Sequence, residues 1–101
     1  VDGIEFIPVQ EIIFCQADGN YTKIHLQNHN SLLASRTLKD FEMLLSEVGF
    51  CRVHHASLIN LKHIIKYVKG EGGYLILTEG HEVPVSRRRK EALLILDVTK
   101  L

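Results

Sequence analysis

Apolar residues in this chain come in short runs, each closed within a few positions by turn-forming residues, a rhythm that suits small antiparallel sheets and little else. Tyr21-Thr22-Lys23-Ile24-His25-Leu26 alternates, with Thr22, Ile24 and Leu26 on one face and Tyr21, Lys23 and His25 on the other, the period of a half-buried strand. Ile12-Ile13-Phe14-Cys15 before it is a more continuous apolar run, and Asp18-Gly19-Asn20 between them is strong turn chemistry. Asn28-His29-Asn30 then turns the chain into Ser31-Leu32-Leu33-Ala34, completing a meander.

One helix interrupts the strands. Thr37-Leu38-Lys39-Asp40 has the spacing of a helix start, with a hydroxyl able to accept from the third helical amide and an acid in the first turn. Leu38, Phe41, Leu44, Leu45 and Val48 recur at intervals of three and four, which predicts a stripe packed on the sheet, and Gly49 is placed to end the helix. Cys51 to Asn60 and Ile64 to Val68 then read as extended. Gly70-Glu71-Gly72-Gly73 reads as a flexible hairpin loop leading to Tyr74-Leu75-Ile76-Leu77, and Glu79-Gly80 marks a turn before Val83-Pro84-Val85. A terminal helix is expected from Ser86, as its cap, to about Val98. The fold class is mostly β: short antiparallel sheets, one short internal helix and a C-terminal helix.

At 101 residues the chain is read as a single domain, 1–101, excised from a longer protein because it begins at Val1. With 46% hydrophobic and 24% charged residues it is expected to be a folded, soluble and cytoplasmic domain. No apolar run approaches the roughly 20 residues of a membrane span, and the N-terminus lacks a signal-peptide pattern. Cys15 and Cys51 are expected to be reduced thiols. The sequence contains no nucleophile elbow, phosphate loop or dinucleotide fingerprint, so no enzyme is expected. Cys51, His54, His55 and His63 have poor spacing for a metal, since structural zinc takes two close pairs of ligands. No metal and no cofactor are expected.

Two segments carry the functional signal. Phe50-Cys51-Arg52-Val53-His54-His55-Ala56-Ser57-Leu58-Ile59-Asn60 ends in a carboxamide, and Val83-Pro84-Val85-Ser86-Arg87-Arg88-Arg89-Lys90 ends in a cation cluster. A net charge of zero at first argues against nucleic acid, whose affinity comes from neutralised phosphates. The charges are segregated along the chain, however. Residues 1–19 hold Asp2, Glu5, Glu11 and Asp18 without a Lys or Arg, whereas residues 50–70 hold Arg52, Lys62, Lys66 and Lys69 without an acid. Screening over about 10 Å lets such a domain present a positive face locally.

At these residues the chain resembles the LytTR family of DNA-binding domains. The family pattern of an aromatic, Arg-hydrophobic-His and an apolar pair closing on Asn stands here as Phe50, Arg52-Val53-His54 and Leu58-Ile59-Asn60, and its apolar-Pro-Val-Ser-Arg element as Val83 to Arg87. The Ile12 to Leu26 strands and the Thr37-Leu38 helix start also match. Ala56 departs from the pattern, standing where the family often has Ser, with Ser57 next to it.

The resemblance implies an output domain of a two-component response regulator that binds double-stranded DNA at direct repeats, with loops in successive major grooves. It also implies a receiver domain elsewhere in the full-length chain, a cognate histidine kinase, and dimer formation on DNA as an open possibility. Asn20, Asn60 and Arg87 would read bases, since Arg matches guanine O6 and N7 and a carboxamide matches adenine N6 and N7. Tyr21, His55, Ser57, Lys62, Ser86, Arg88, Arg89 and Lys90 would contact the backbone or support those that do, with Arg52 and His54 holding the Asn60 loop. The competing reading is a β-rich interaction module that pairs an edge strand with a partner peptide.

Overall fold

The computed structural model of the chain describes residues 6–100. After a 3-10 turn at Val9–Glu11, strands β1 (Ile12–Asp18), β2 (Tyr21–Leu26) and β3 (Asn30–Ala34) form the expected meander. Helix α1 (Leu38–Leu45), a 3-10 turn at Ser46–Val48, β4 (Phe50–His54) and β5 (Ser57–Asn60) follow. These five strands make one antiparallel sheet in the order β3-β2-β1-β5-β4. A second sheet contains β6 (Ile64–Val68), β7 (Tyr74–Leu77) and β8 (Glu82–Pro84) in chain order, and α2 (Arg87–Lys100) completes the described chain.

β1 is the central strand and is covered on both faces. Ile12 and Cys15 pack with Ile24, Leu38, Phe50 and Leu58 beneath α1, whereas Ile13 and Phe14 join Val53, Ile59, Leu75 and Leu77 between the two sheets. Strict alternation would put Ile12 and Phe14 on one face. A register shift between them against β2 moves Phe14 to the other. The continuous apolar run of β1 thus reflects two buried faces, and each fully buried Ile or Leu contributes about 1.5–3 kcal/mol.

Helix α1 starts as its sequence predicts. The Thr37 hydroxyl accepts from the Asp40 amide at 3.2 Å, a cap worth about 1 kcal/mol. Its stripe is narrower than predicted: Leu38 is buried and Phe41 and Leu45 are partly so, but Leu44 and Val48 are 60% and 54% exposed. Leu44 lies about 120° around the helix from Leu38 at about 100° per residue. Val48 falls in the 3-10 turn, whose tighter winding carries it off the stripe. Gly49 then takes a left-handed φ of 96°, ending the helical segment as expected.

The region 51–60 is not one extended run. It folds back at His55-Ala56 into the β4–β5 hairpin. The 70–73 loop is also tighter than its glycines suggest, since Gly73 is buried and a Cβ there would run into the Tyr67 ring. Cys15 and Cys51 are both free and pack into cores on opposite faces of the sheet, which rules out a bond between them. Burial pushes the Cys15 thiol up to about 12.

Strand directions sort the connections into two ends. The closed end joins the two sheets through polar contacts. His63 is buried there, with Nδ1 2.8 Å from Thr78 Oγ1 and Nε2 2.7 Å from the Gln10 carbonyl. Beside it, the Glu79 carboxylate accepts from the Asn28 and His29 amides, the latter at 2.9 Å. Asn28, His29 and Glu79 all have φ of 60–65°, so three non-glycine residues in the left-handed region meet at one point.

Candidate nucleic-acid interface

The opposite end gathers three turns. Asp18 pairs with Tyr21 across the β1–β2 turn, and Gln16 pairs with Ser57, so the β4–β5 turn lies alongside; the Ala17 amide donates to the Ala56 carbonyl at 2.9 Å. The third turn, between β8 and α2, is fastened to the second by the Ser86 amide, which donates to the Val53 carbonyl at 2.8 Å. The register shift between Arg52 and His54 falls at Val53. A shallow cleft of about 400 Å³ runs between these last two turns, lined by His54, His55, Gly72, Val85, Ser86 and Arg88.

Asn20 is exposed in the first turn. The left-handed residue of that turn is Gly19, with φ of 62°, and Asn20 is not among the non-glycine residues with positive φ. The backbone therefore does not require Asn at this position, and its carboxamide is open to a ligand. Tyr21 flanks it, 48% exposed.

The second turn is held from within. Arg52 donates from Nε to the His54 carbonyl at 3.0 Å and from Nη2 to the His55 carbonyl. His54 Nδ1 accepts the Ala56 amide at 3.2 Å, which requires a neutral ring protonated on Nε2. Burial, then His55 and Arg52, lowers the His54 pKa and favours that neutral state. The turn brings the two histidine rings to 4.2 Å between centroids, where an extended strand would separate them. His55 is exposed at the tip, whereas Ser57 is buried in β5.

At the start of α2, Arg87 and Arg88 are exposed. Arg89 donates from Nη1 to the Arg52 carbonyl at 2.9 Å, and Lys90 sits over the Tyr67 ring at 5.8 Å, so both side chains have protein partners. Ser86 does not cap the helix with its side chain: its Oγ is buried without a partner, while its carbonyl accepts from the Arg89 amide at 3.1 Å. Arg36, which the sequence reading missed, is exposed at the same end, because the buried Thr22 hydroxyl donates to its carbonyl at 2.7 Å and seats the β3–α1 junction beside Tyr21. Its signal was an Arg directly before a helix cap, itself following a strand paired with β2. Asp18 ends β1 at the first turn, Glu71 lies in the β6–β7 loop, and Asp2 and Glu5 lie outside the described residues.

Asn60 is elsewhere. It is 2% exposed at the closed end of β5, with Nδ2 donating to the Ile12 carbonyl at 2.9 Å and Oδ1 accepting the Lys62 amide at 3.0 Å. Reading a base would break both bonds and withdraw a buried group, so the geometry assigns it to tying β1, β5 and the following 3-10 turn together. Lys62 is exposed at that same end, separated from His55 by the length of β5, roughly 10 Å at 3.3 Å per residue. The structure therefore sets Asn60 and Lys62 apart from His55, because the chain turns at His55-Ala56.

The LytTr DNA-binding domain family matches residues 2–96. The chain belongs to the LytTR family. Among solved structures, a LytTr DNA-binding domain from Bacillus cereus aligns with this LytTR domain at a TM-score of 0.81 and 24% identity, covering 94% of this chain and 88% of the other, which establishes a shared fold. The CO-responsive transcriptional regulator RcoM of Rhodospirillum rubrum is 30% identical over 86 residues, 82% of this chain and 36% of its own length. The heme-containing CO-sensing transcriptional regulator RcoM 2 of Paraburkholderia xenovorans is 31% identical over 90 residues, 86% of this chain and 33% of its own length. The LytTR domain therefore spans about a third of the length of these curated relatives. As a member of this family it is a DNA-binding regulatory domain. None of its described helices is long and apolar enough to cross a membrane.

Proposed function

We propose that this LytTR domain reads double-stranded DNA sequence-specifically through the end that carries its three turns. The observation supporting this is their convergence: Asn20 and His55 are exposed in two of the turns and Arg87 directly after the third, the turns being fastened to one another by backbone hydrogen bonds, with Arg36 and Arg88 at the same end. A tight turn fits a major groove about 12 Å wide, and such turns can enter successive grooves on one side of a duplex. Arg87 suits guanine, Asn20 suits adenine, and Arg36 and Arg88 suit phosphates. Tyr21 flanks the first contact. Arg52, His54, Ser57, Ser86, Arg89 and Lys90 act as supports.

In this reading the domain is the output part of a longer transcriptional regulator that binds direct repeats, two copies to a site. Its likeness to CO-sensing regulators supports a sensor domain as the input, while the motifs of the sequence support a receiver domain and histidine kinase. Selection from random duplex DNA tests the reading. Enrichment of repeated sites, with affinity falling steeply from low to physiological salt, is expected. Absence of enrichment at any salt overturns it, and salt-independent capture of an extended peptide would favour strand addition instead.

A further inference from the structure

We propose that Glu42, an acid on α1, is a positioning residue for DNA recognition. The proposal rests on the reading of the turn-bearing end as the DNA face. Glu42 Oε1 accepts from Arg52 Nη1 at 2.8 Å, and the two side chains are 35% and 17% exposed. The same guanidinium holds the His54 and His55 carbonyls, and the backbone carbonyl of Arg52 anchors Arg89 in the first turn of α2. One ion pair thus stands behind two of the three turns. Without Glu42, a largely buried guanidinium loses its counter-charge and is drawn toward water. The His54–Ala56 turn then loses its inner support, and the end of β4 next to the Arg89 contact loses a restraint.

This role predicts an inverted sign. An acid in a DNA-binding domain ordinarily opposes the phosphates, so removing one should tighten binding to every sequence. Removing Glu42 should instead weaken the selected site. Fluorescence anisotropy on a selected duplex and on a random duplex of equal length, with wild type, Glu42→Ala, Glu42→Gln and Glu47→Ala, tests it. Glu47 is an exposed acid on the 3-10 turn after α1 and provides the same charge change. Expected for Glu42→Ala is a loss of roughly 10-fold on the selected duplex, the lower end of the scale for one charge-assisted hydrogen bond because the pair is partly exposed, with random-duplex affinity unchanged or higher. Glu42→Gln keeps an acceptor and should recover part of the loss, and Glu47→Ala should lose no discrimination.

Hydrogen exchange supplies a readout independent of DNA. The Ala56 and Ser86 amides should exchange faster in Glu42→Ala, while β1–β2 ladder amides and the His29 amide keep their wild-type rates. If wild type discriminates between the duplexes and Glu42→Ala discriminates equally well, the proposal is overturned alone. If wild type does not discriminate, the DNA reading falls and the proposal with it. Uniformly faster exchange would make Glu42 a general stabiliser and overturn the positioning role.

Discussion

At the closed end Asn60, His63 and Glu79 each have both polar atoms of the side-chain head group bonded within the protein, whereas at the opposite end Asn20 and His55 stand exposed on turns and Arg87 and Arg88 stand exposed at the start of α2. Similar side chains serve opposite purposes. A carboxamide at Asn60 satisfies a carbonyl and an amide that would otherwise be buried unpaired, and a carboxamide at Asn20 is open to a partner from outside. The difference lies in burial and partner geometry, not in residue type, and the position of the β4–β5 turn decides which end a residue occupies.

The strongest challenge to this contrast is Asn60→Ala. It leaves the Ile12 carbonyl and the Lys62 amide without partners, so chemical denaturation should show a loss of roughly 2–4 kcal/mol. Discrimination between selected and random duplexes by the remaining folded protein should not change; a changed base preference at unchanged stability would return Asn60 to the reading set. Arg87→Ala should do the reverse. Binding to the selected site should fall by about 1–3 kcal/mol with relaxed preference at one base pair, and the melting temperature should hold. Equal losses on selected and random duplexes would make Arg87 a phosphate contact only.

Acid should act on stability near the closed end. His25 stacks on Phe14 at 4.2 Å, and burial first, then His81 and Lys23, lowers its pKa from 6.5 to about 4. The unfolded chain therefore takes up a proton near 6.5 that the fold resists. The contribution is complete above that pH and declines as pH falls from 6.5 toward 4. Denaturation midpoints across that window should fall less steeply in His25→Phe than in wild type, and parallel curves would remove His25 from the account. The smallest effect sharpens the assignment of ends: Lys62→Ala should leave affinity and its salt slope unchanged, while Arg88→Ala should reduce the slope by about one charge.

Much of the fold was legible because it is locally encoded. The Tyr21–Leu26 alternation, the Asp18-Gly19-Asn20 turn and the Thr37 cap each lie within a few residues, and all three appear as read. The β4–β5 turn was not legible, since His55-Ala56 has no Gly, Pro, Asn or Asp and its tightness comes from Arg52 reaching back to two carbonyls. Because of that turn, Asn60 and Lys62 lie at the end of the domain opposite His55. His63 joins Gln10 across 53 positions, and Glu79 joins Asn28 across 51, separations at which no periodicity speaks. Arg36 escaped because its placement depends on a bond from Thr22, 14 residues earlier.

The three turns bear on how such a domain can change over generations. Asn20, His55 and Arg87 stand outside the two hydrophobic clusters, the first two in connections between regular elements and Arg87 at the exposed start of α2. Under the proposed reading, substitutions there would redirect the domain to another operator while the core and the polar anchors at the far end remain untouched. Binding preference and foldability can therefore vary almost independently, and a lineage can acquire new target sites one turn at a time.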